Sequence, residues 1–196
     1  MTLMQKFRVR LRLFARDQQG SMPTEGVMAF AFLVWWYIAS FQFFDAYRQK
    51  NINLKAAYTV ADLISREVDP IDANYIKGLN KVFDYLTFSN KPTQIRVTSV
   101  YFDTATNSYK VNWSYSTSTV NVAYTNATLQ TVKNKIPVLP AGDTVILVQT
   151  YMAYEPIFSV GLKAMIYDTF IATRPRAVPC IRWDKKDGSN PACAFS

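Results

Sequence analysis

The sequence contains no histidine, so it lacks the commonest general base and the commonest metal ligand in proteins. Only two of its 196 residues are cysteine, too few thiols for a metal site without other ligands. Two carboxylate pairs, Asp69 with Asp72 and Asp184 with Asp187, lie in turn-like sequence, where solvated caps are commoner than acid–base pairs. We therefore expect no catalytic residues, no metal or other cofactor, and no small-molecule substrate.

The sequence also lacks a cluster of basic residues interleaved with aromatic residues, apart from the short element Arg174-Pro175-Arg176. The net charge is +8, but it is unevenly distributed. Residues 1–20 contain one acidic residue and five basic ones, a net charge of +4: Lys6, Arg8, Arg10, Arg12 and Arg16. The high isoelectric point is thus half due to this leader, and we expect no nucleic-acid partner.

An uncharged apolar run extends from Gly26 to Phe44, between Glu25 and Asp45. At ~1.5 Å per residue a helix of this length spans roughly 28 Å, close to the ~30 Å hydrocarbon core of a bilayer. A buried helix of a soluble core is the alternative. The run is apolar on all sides, however, and basic residues flank it on one side only. This asymmetry predicts a single membrane span with a cytoplasmic N-terminus and the C-terminal part on the other side.

The end of the apolar run offers no cleavage site for an ordinary secretory signal peptide. Such a peptide has a shorter apolar region that ends in small residues of A-x-A type, whereas this run ends in Phe43-Phe44-Asp45. Any cleavage is therefore expected before the run, between Gly20 and Ser21.

Glu25 is an acidic residue at the edge of the predicted span, where a carboxylate costs a few kcal/mol. Cleavage after Gly20 would create an α-amino group on Ser21, four residues earlier. In an assembled filament, Glu25 of one subunit could neutralise that amine on a neighbour, which predicts an assembly role. The alternative is that Glu25 extends to the lipid headgroups or favours the positive end of the helix dipole.

The apolar run is predicted to continue into an amphipathic helix, giving one helix over residues 24–68. Asp69-Pro70 ends it, because the residue before a proline is disfavoured in helical conformation. The expected buried stripe follows the helical period and comprises Leu54, Tyr58, Ala61, Ile64 and Val68. A second helix is predicted from Asp72, its N-cap, to Leu86. Its inward residues are expected to be Ile76, Leu79, Val82, Phe83 and Leu86.

The second half of the chain alternates apolar and polar residues and predicts strands. A hairpin is expected from residues 94–102 and 108–115 around the turn Asp103–Asn107. Residues 118–141 predict a long polar connection containing a short helix. Three more strands are predicted: Asp143–Tyr154, Met165–Thr173 and Ala177–Trp183. The expected fold is α+β and pilin-like, with the long N-terminal helix packed on one face of an antiparallel sheet.

Cys180 and Cys193 are both predicted to lie outside the cytoplasm. A close pair in an oxidising compartment favours one disulfide that closes a short loop. A metal pair is the competing interpretation, but it would need further ligands.

Three sequence blocks resemble the TadE/TadG-like proteins of tight-adherence (Tad, type IVc) pilus systems. The first block is Phe14–Ser21, followed by Glu25 and the apolar run. The second is Val148–Phe158, and the third is Ala172-Thr173-Arg174-Pro175-Arg176. The resemblance covers both ends of the chain and leaves residues 70–140 unmatched.

This resemblance implies a minor pseudopilin or pilus assembly component, cleaved after Gly20 by a prepilin peptidase. Its implied partners are the membrane, other pilins or pseudopilins, and components of the Tad secretion and adhesion apparatus. The major pilins of such systems are much shorter and often have tyrosine after the glutamate, where this chain has Gly26. Longer TadG-type members carry a D-x-S-x-S metal motif, which this sequence lacks.

The sequence thus predicts three segments: a basic cytoplasmic leader (1–20), a membrane-spanning and amphipathic helix (21–69), and an extracytoplasmic α+β domain (70–196). The expected location is the bacterial inner membrane with the domain in the periplasm, and incorporation into a surface pilus is a further expectation. The alternative function is an uncleaved single-pass accessory protein whose outer domain binds apparatus partners.

Overall fold

The computed structural model describes residues 13, 21–158, 160–187 and 193. The long helix α1 covers Ser21–Ser65, and α2 covers Ala73–Thr87. Two strands follow, β1 (Gln94–Asp103) and β2 (Ser108–Ser116), and then a short helix α3 (Asn126–Leu129), which leads into a 3-10 helix (Gln130–Lys135). The last two strands are β3 (Thr144–Tyr154) and β4 (Met165–Thr173). The fold is α+β, as expected.

Helix α1 is continuous for 45 residues, which at ~1.5 Å per residue makes it about 68 Å long. The predicted uninterrupted helix is therefore confirmed, although it ends at Ser65, three residues early. Arg66 and Glu67 donate backbone hydrogen bonds to the carbonyls of Leu63 and Ile64, three residues back, and this tighter turn closes the helix before Pro70. By length and composition, Met22–Ser65 is apolar enough to cross a membrane, and its most apolar stretch is only 11% buried.

The buried face of α1 differs from the predicted stripe. Ala61 and Ile64 are buried as expected, but Leu54, Tyr58 and Val68 are exposed. The residues that pack on the domain are mostly small: Asn53, Ala56, Ala57, Val60, Ala61, Ile64 and Ser65. Small side chains allow the helix axis to approach the sheet closely, so the close contact selected the alanine-rich face over the face with the larger apolar residues.

Helix α2 begins at the predicted cap: Asp72 Oδ1 accepts a hydrogen bond of 2.8 Å from the backbone N of Tyr75, which satisfies a free donor of the first turn. Ile76, Leu79 and Phe83 are buried, and Leu86 is partly buried. Val82 is 37% exposed, so its predicted inward position is wrong. The N–H of Phe88 caps the C-terminus by donating to the Tyr85 carbonyl.

The four strands form one antiparallel sheet in the order β2-β1-β3-β4. The β1–β2 hairpin is confirmed, with Phe102 opposite Tyr109 and an irregularity in register at Ser99/Val100. Strands β3 and β4 agree with the predictions to within one residue. β3 lies at the centre beside β1 and β4, with Val97 opposite Val148 and Val148 opposite Ile171.

Both faces of the sheet are covered, whereas the sequence predicted a cover for one. Helices α1 and α2 pack on the face that carries Ile95, Val97, Ile146, Val148 and Met152. The opposite face carries a second cluster. In it, Leu129, Ile136 and Leu139 of the 118–141 connection cover four strand residues: Val100, Tyr109, Val145 and Leu147. The connection contains the expected short helix, but it is a packed layer of the domain.

The predicted strand Ala177–Trp183 is wrong, because only Trp183 makes a β-bridge, to Ile71. Pro179 interrupts this segment and supplies no N–H for a ladder. The segment is fastened by side chains, since Trp113 Nε1 donates a 2.7 Å hydrogen bond to the Ile181 carbonyl. The expected disulfide between Cys180 and Cys193 is present in the structure.

Candidate functional site

The predicted processing and assembly residues lie at the start of α1. Gly20 and nearly all of the leader 1–20 lie outside the described residues. Ser21 is the first described residue of the helix, and Glu25 follows it by four residues, with an exposed side chain. Positions four apart on a helix share one face and are separated by about 6 Å along the axis. A new amine on Ser21 and the Glu25 carboxylate would therefore lie on the same side of α1.

The first half of α1 presents large apolar side chains around its circumference. Nine of them, at positions 27–37, are at least 41% exposed: Val27, Met28, Phe30, Phe32, Leu33, Val34, Trp35, Trp36 and Tyr37. Phe41, Phe43 and Phe44 continue the surface. A soluble monomer rarely exposes a contiguous apolar surface of this extent. A lipid or protein environment around this half of the helix would cover that surface.

A buried set of hydrogen bonds, here called the polar joint, connects Gln42 and Asp45 of α1 to Tyr154 at the end of β3 and to Phe158 in the connection that follows. Gln42 is fully buried; its Nε2 donates to Tyr154 Oη at 2.6 Å, and its Oε1 accepts from the backbone N of Phe158 at 3.1 Å. Tyr154 Oη donates in turn to Asp45 Oδ2 at 3.3 Å. One turn earlier on the same helix face, Ala39 is buried as well. The domain therefore holds α1 within the final turns of its apolar run.

Further hydrogen bonds follow the same face of α1. Tyr167 Oη donates to the Ala46 carbonyl at 2.9 Å, and Thr169 Oγ1 donates to Asn53 Oδ1 at 2.8 Å. Burial, aided by the nearby charge of Asp45, raises the pKa of Tyr154 above its ordinary value, and burial also raises that of Tyr167. Both phenols therefore stay protonated at neutral pH and can donate these bonds.

The Arg-Pro-Arg element fastens the other end of α1. Arg176 donates from its backbone N to the Ser65 carbonyl at 2.8 Å, and its guanidinium lies 3.1 Å from Asp62, which also pairs with Arg66 at 2.9 Å. Arg174 pairs with Asp143 at 3.1 Å. These side chains are largely exposed, so the ion pairs contribute little free energy individually, and the backbone bond defines the position.

Arg96 is a buried arginine on the second face of the sheet, and the sequence did not predict its role. Arg96 donates through Nε and Nη2 to Gln149 Oε1 at 2.8 and 2.6 Å, and through Nη1 to the Val122 carbonyl at 2.8 Å. Nη2 also lies 2.9 Å from Tyr124 Oη and 2.8 Å from Tyr151 Oη. The guanidinium stacks 3.8 Å from the centre of the Tyr124 ring.

These contacts engage each nitrogen of the Arg96 guanidinium with uncharged partners. The group therefore ties the segment around Val122 and Tyr124 to the sheet and has a structural role. The only sequence signal was an arginine at an alternating strand position, which is ordinarily interpreted as solvent-facing.

One member of each carboxylate pair that was considered for catalysis, Asp72 and Asp184, accepts a hydrogen bond from a nearby backbone N–H. Asp72 caps α2 and pairs with Lys186 at 2.7 Å; the Lys186 ammonium and the Tyr75 N–H lower the pKa of its carboxyl. Asp184 accepts from the Lys186 backbone N at 2.7 Å. Among the described residues, no group of three histidine, cysteine or acidic side chains could hold a metal ion.

No family model, no curated protein and no solved structure matches the chain. Its function therefore has to be inferred from its own residues and contacts.

Proposed function

We propose that this chain is a minor pseudopilin or pilus assembly component, anchored by α1 and cleaved after Gly20. Its partners would be a prepilin peptidase, other pilins or pseudopilins, and components of a Tad-type secretion and adhesion apparatus. The domain beyond α1 would lie in the periplasm of a bacterial cell, and the first half of α1 would be both membrane anchor and assembly surface.

The observation that carries this proposal is the order of features along one continuous helix. A basic leader ends in Gly20-Ser21, Glu25 follows by one helical turn, and the exposed apolar surface extends from there to Phe44. The same helix then packs through small residues on an antiparallel sheet. A rigid connection of this kind transmits the position of the membrane segment to the outer domain, which a subunit of a helical assembly requires.

The test is the intact mass and N-terminal residue of the protein isolated from native membranes. A chain that begins at Ser21 supports prepilin-type processing. A matched pair of variants sharpens the result: Gly20→Leu should accumulate as the uncleaved chain, whereas Gly26→Leu should be processed normally. A Cβ at Gly26 would meet nothing within 4 Å, so this control leaves the packing unchanged.

An uncleaved wild-type chain would overturn the pseudopilin proposal. It would favour a permanently anchored accessory protein whose outer domain binds apparatus partners. The polar joint at Gln42 is compatible with either function, since it requires only that α1 and the domain move together.

A further inference from the structure

The connection between β3 and β4 lies beside the end of the apolar run of α1. The backbone N of Phe158, in this connection, bonds to Gln42, and the preceding strand residue Tyr154 bonds to Gln42 and Asp45. We name residues 155–158 and 160–164 the β3–β4 tip. Ile157 in the tip is 69% exposed and Phe158 is 45% exposed, although both are large apolar residues.

The length of the apolar run constrains where the tip lies relative to a membrane. All 19 residues from Gly26 to Phe44 are needed to reach roughly 28 Å. If the domain stayed entirely outside the bilayer, the span would have to end before the buried Ala39, leaving residues 26–38, roughly 20 Å. The deficit of about 10 Å would cost on the order of a few kcal/mol in bilayer thinning.

The alternative is that the tip enters the outer boundary of the bilayer. We propose that the β3–β4 tip is a second membrane contact, which inserts Ile157 and Phe158 between lipid headgroups beside α1. The proposal rests on the membrane crossing of α1 and adds a membrane-embedded part of the outer domain. The tip belongs at the headgroup side of the boundary with the hydrocarbon: Gln42, which bonds to Phe158, lies two residues before the end of the run, and an irregular backbone cannot be satisfied deeper in the hydrocarbon.

A second apolar side chain lies beside the tip. Phe88, the C-cap residue of α2, lines one groove together with Asp45, Lys91 and Ile157, and it is 78% exposed. Its backbone is left-handed, with φ of 50°, a conformation that favours glycine and disfavours a bulky residue. Within the domain the ring contacts Tyr85, with 6.0 Å between ring centroids, and most of it is left exposed. Contact with lipid would cover that exposed part and offset the cost of the strained position.

Charge around the tip suits the headgroup region. Lys163 is exposed in the tip, and Lys91 pairs with Glu155 at its base. A lysine can extend its ammonium to lipid phosphates while its methylene groups remain among apolar side chains. The bilayer that α1 crosses is thus the occupant that matches both the apolar side chains of the tip and its Lys163.

Depth-dependent fluorescence quenching tests the proposal in the full-length chain. Single cysteines carrying an environment-sensitive fluorophore are placed by Ile157→Cys, Phe32→Cys and Val138→Cys, without reductant so that Cys180 and Cys193 stay paired. The protein is reconstituted in vesicles of phosphatidylethanolamine and phosphatidylglycerol containing nitroxide lipids labelled at the headgroup or deep in the acyl chain. Val138 is 87% exposed and precedes the first residue of β3, at the end of that strand opposite to the tip. It is therefore the water-exposed control.

The Ile157 label should show blue-shifted emission and lose most of its fluorescence to headgroup nitroxides, with less loss to deep ones. The Phe32 label should show the reverse depth preference, and the Val138 label should be quenched by neither. Quenching at Phe32 together with a water-like Ile157 label would overturn the tip proposal and leave the span intact. If neither is quenched, both proposals fail. The Ile157 label could instead be shielded from water but insensitive to the lipid quenchers, with a shielding that increases with the density of protein in the vesicles. That result would assign the tip to contact with a second copy of the chain and would also overturn the lipid proposal.

Discussion

Gln42, within the apolar run of α1, donates a hydrogen bond of 2.6 Å to the Oη of Tyr154 at the end of β3, 112 residues along the chain. A buried amide in an otherwise apolar run is costly unless both its donor and its acceptor are used. Here both are used, by Tyr154 and by Phe158. The hydrogen bond between Gln42 and Tyr154 therefore fixes the rotation of α1 relative to the sheet.

Substitution Gln42→Leu should lower the free energy of unfolding by about 1–3 kcal/mol, because the Phe158 N–H and the Tyr154 hydroxyl each lose a partner. Thermal unfolding of the full-length protein in detergent, followed by near-ultraviolet circular dichroism, measures the change. Ser40→Leu is the matched control, since Ser40 is exposed two residues away and the substitution adds similar apolar surface. Equal melting temperatures for the two variants would show that the joint contributes no stability.

Glu25→Gln should leave cleavage after Gly20 intact but reduce the amount of the protein in sheared surface filaments, because the neutral amide cannot offset a neighbour's α-amino charge. Immunoblotting of the sheared and membrane fractions measures the distribution. Asp84→Asn removes one negative charge from an exposed position on α2 and should not change it. Unaltered incorporation of the Glu25 variant would contradict the assembly role.

Arg96→Lys should destabilise the domain by about 2 kcal/mol or more, although the substitution keeps the positive charge. A lysine cannot reproduce the planar fork that reaches Gln149, Val122 and the two tyrosines, and Gln149 would remain buried with its acceptor unpaired. The melting temperature in detergent reports the loss. Arg66→Lys, at an exposed ion pair, is the control and should change stability by less than about 0.5 kcal/mol. Similar losses at both positions would contradict the structural role assigned to the Arg96 hydrogen bonds.

The ion pair and hydrogen bonds of Asp103 predict that the fold loses stability in acid. It pairs with Lys110 and accepts a 2.7 Å hydrogen bond from Thr106 Oγ1; these contacts lower the pKa of its carboxyl from 3.8 to about 2. A lowered native pKa stabilises the fold above the unfolded pKa, and the contribution is lost as the pH falls towards about 2.

The melting temperature of wild type should therefore exceed that of Asp103→Asn above about pH 4, and the difference should shrink between about pH 4 and pH 2. Asp84→Asn is the control for removal of a carboxylate without the Lys110 contact. A wild-type advantage that is constant down to pH 2 would contradict the assigned cause.

Removal of the disulfide should lower the free energy of unfolding by about 2–3 kcal/mol, as expected for a loop that joins cysteines 13 residues apart. The Cys180→Ala/Cys193→Ala variant should melt at a lower temperature than wild type, and native wild type should resist thiol alkylation until it is reduced. Free thiols in protein purified without reductant would contradict the extracytoplasmic oxidising environment that the pair predicts.

The local elements were predictable because their signals are short-range. The uncharged run from Gly26 to Phe44 determined an apolar helix, Asp72 determined the start of α2 through a bond to its own first turn, and the alternation around Asp103–Asn107 determined the first hairpin. Each depends on periodicity, capping or turn chemistry within a few residues. The close cysteine pair likewise indicated its own disulfide.

Tertiary structure alone decided which surfaces meet. Periodicity showed that α1 is helical after Asp45 but not that it buries Ala57 and Val60 while Leu54 and Tyr58 stay exposed, since that depends on how closely the sheet approaches. The role of Arg96 and the packing of Leu129 depend on strands distant in sequence. The same holds for Gln42, which reads as a polar interruption in the sequence and becomes a fully bonded joint only when Tyr154 and Phe158 are brought beside it.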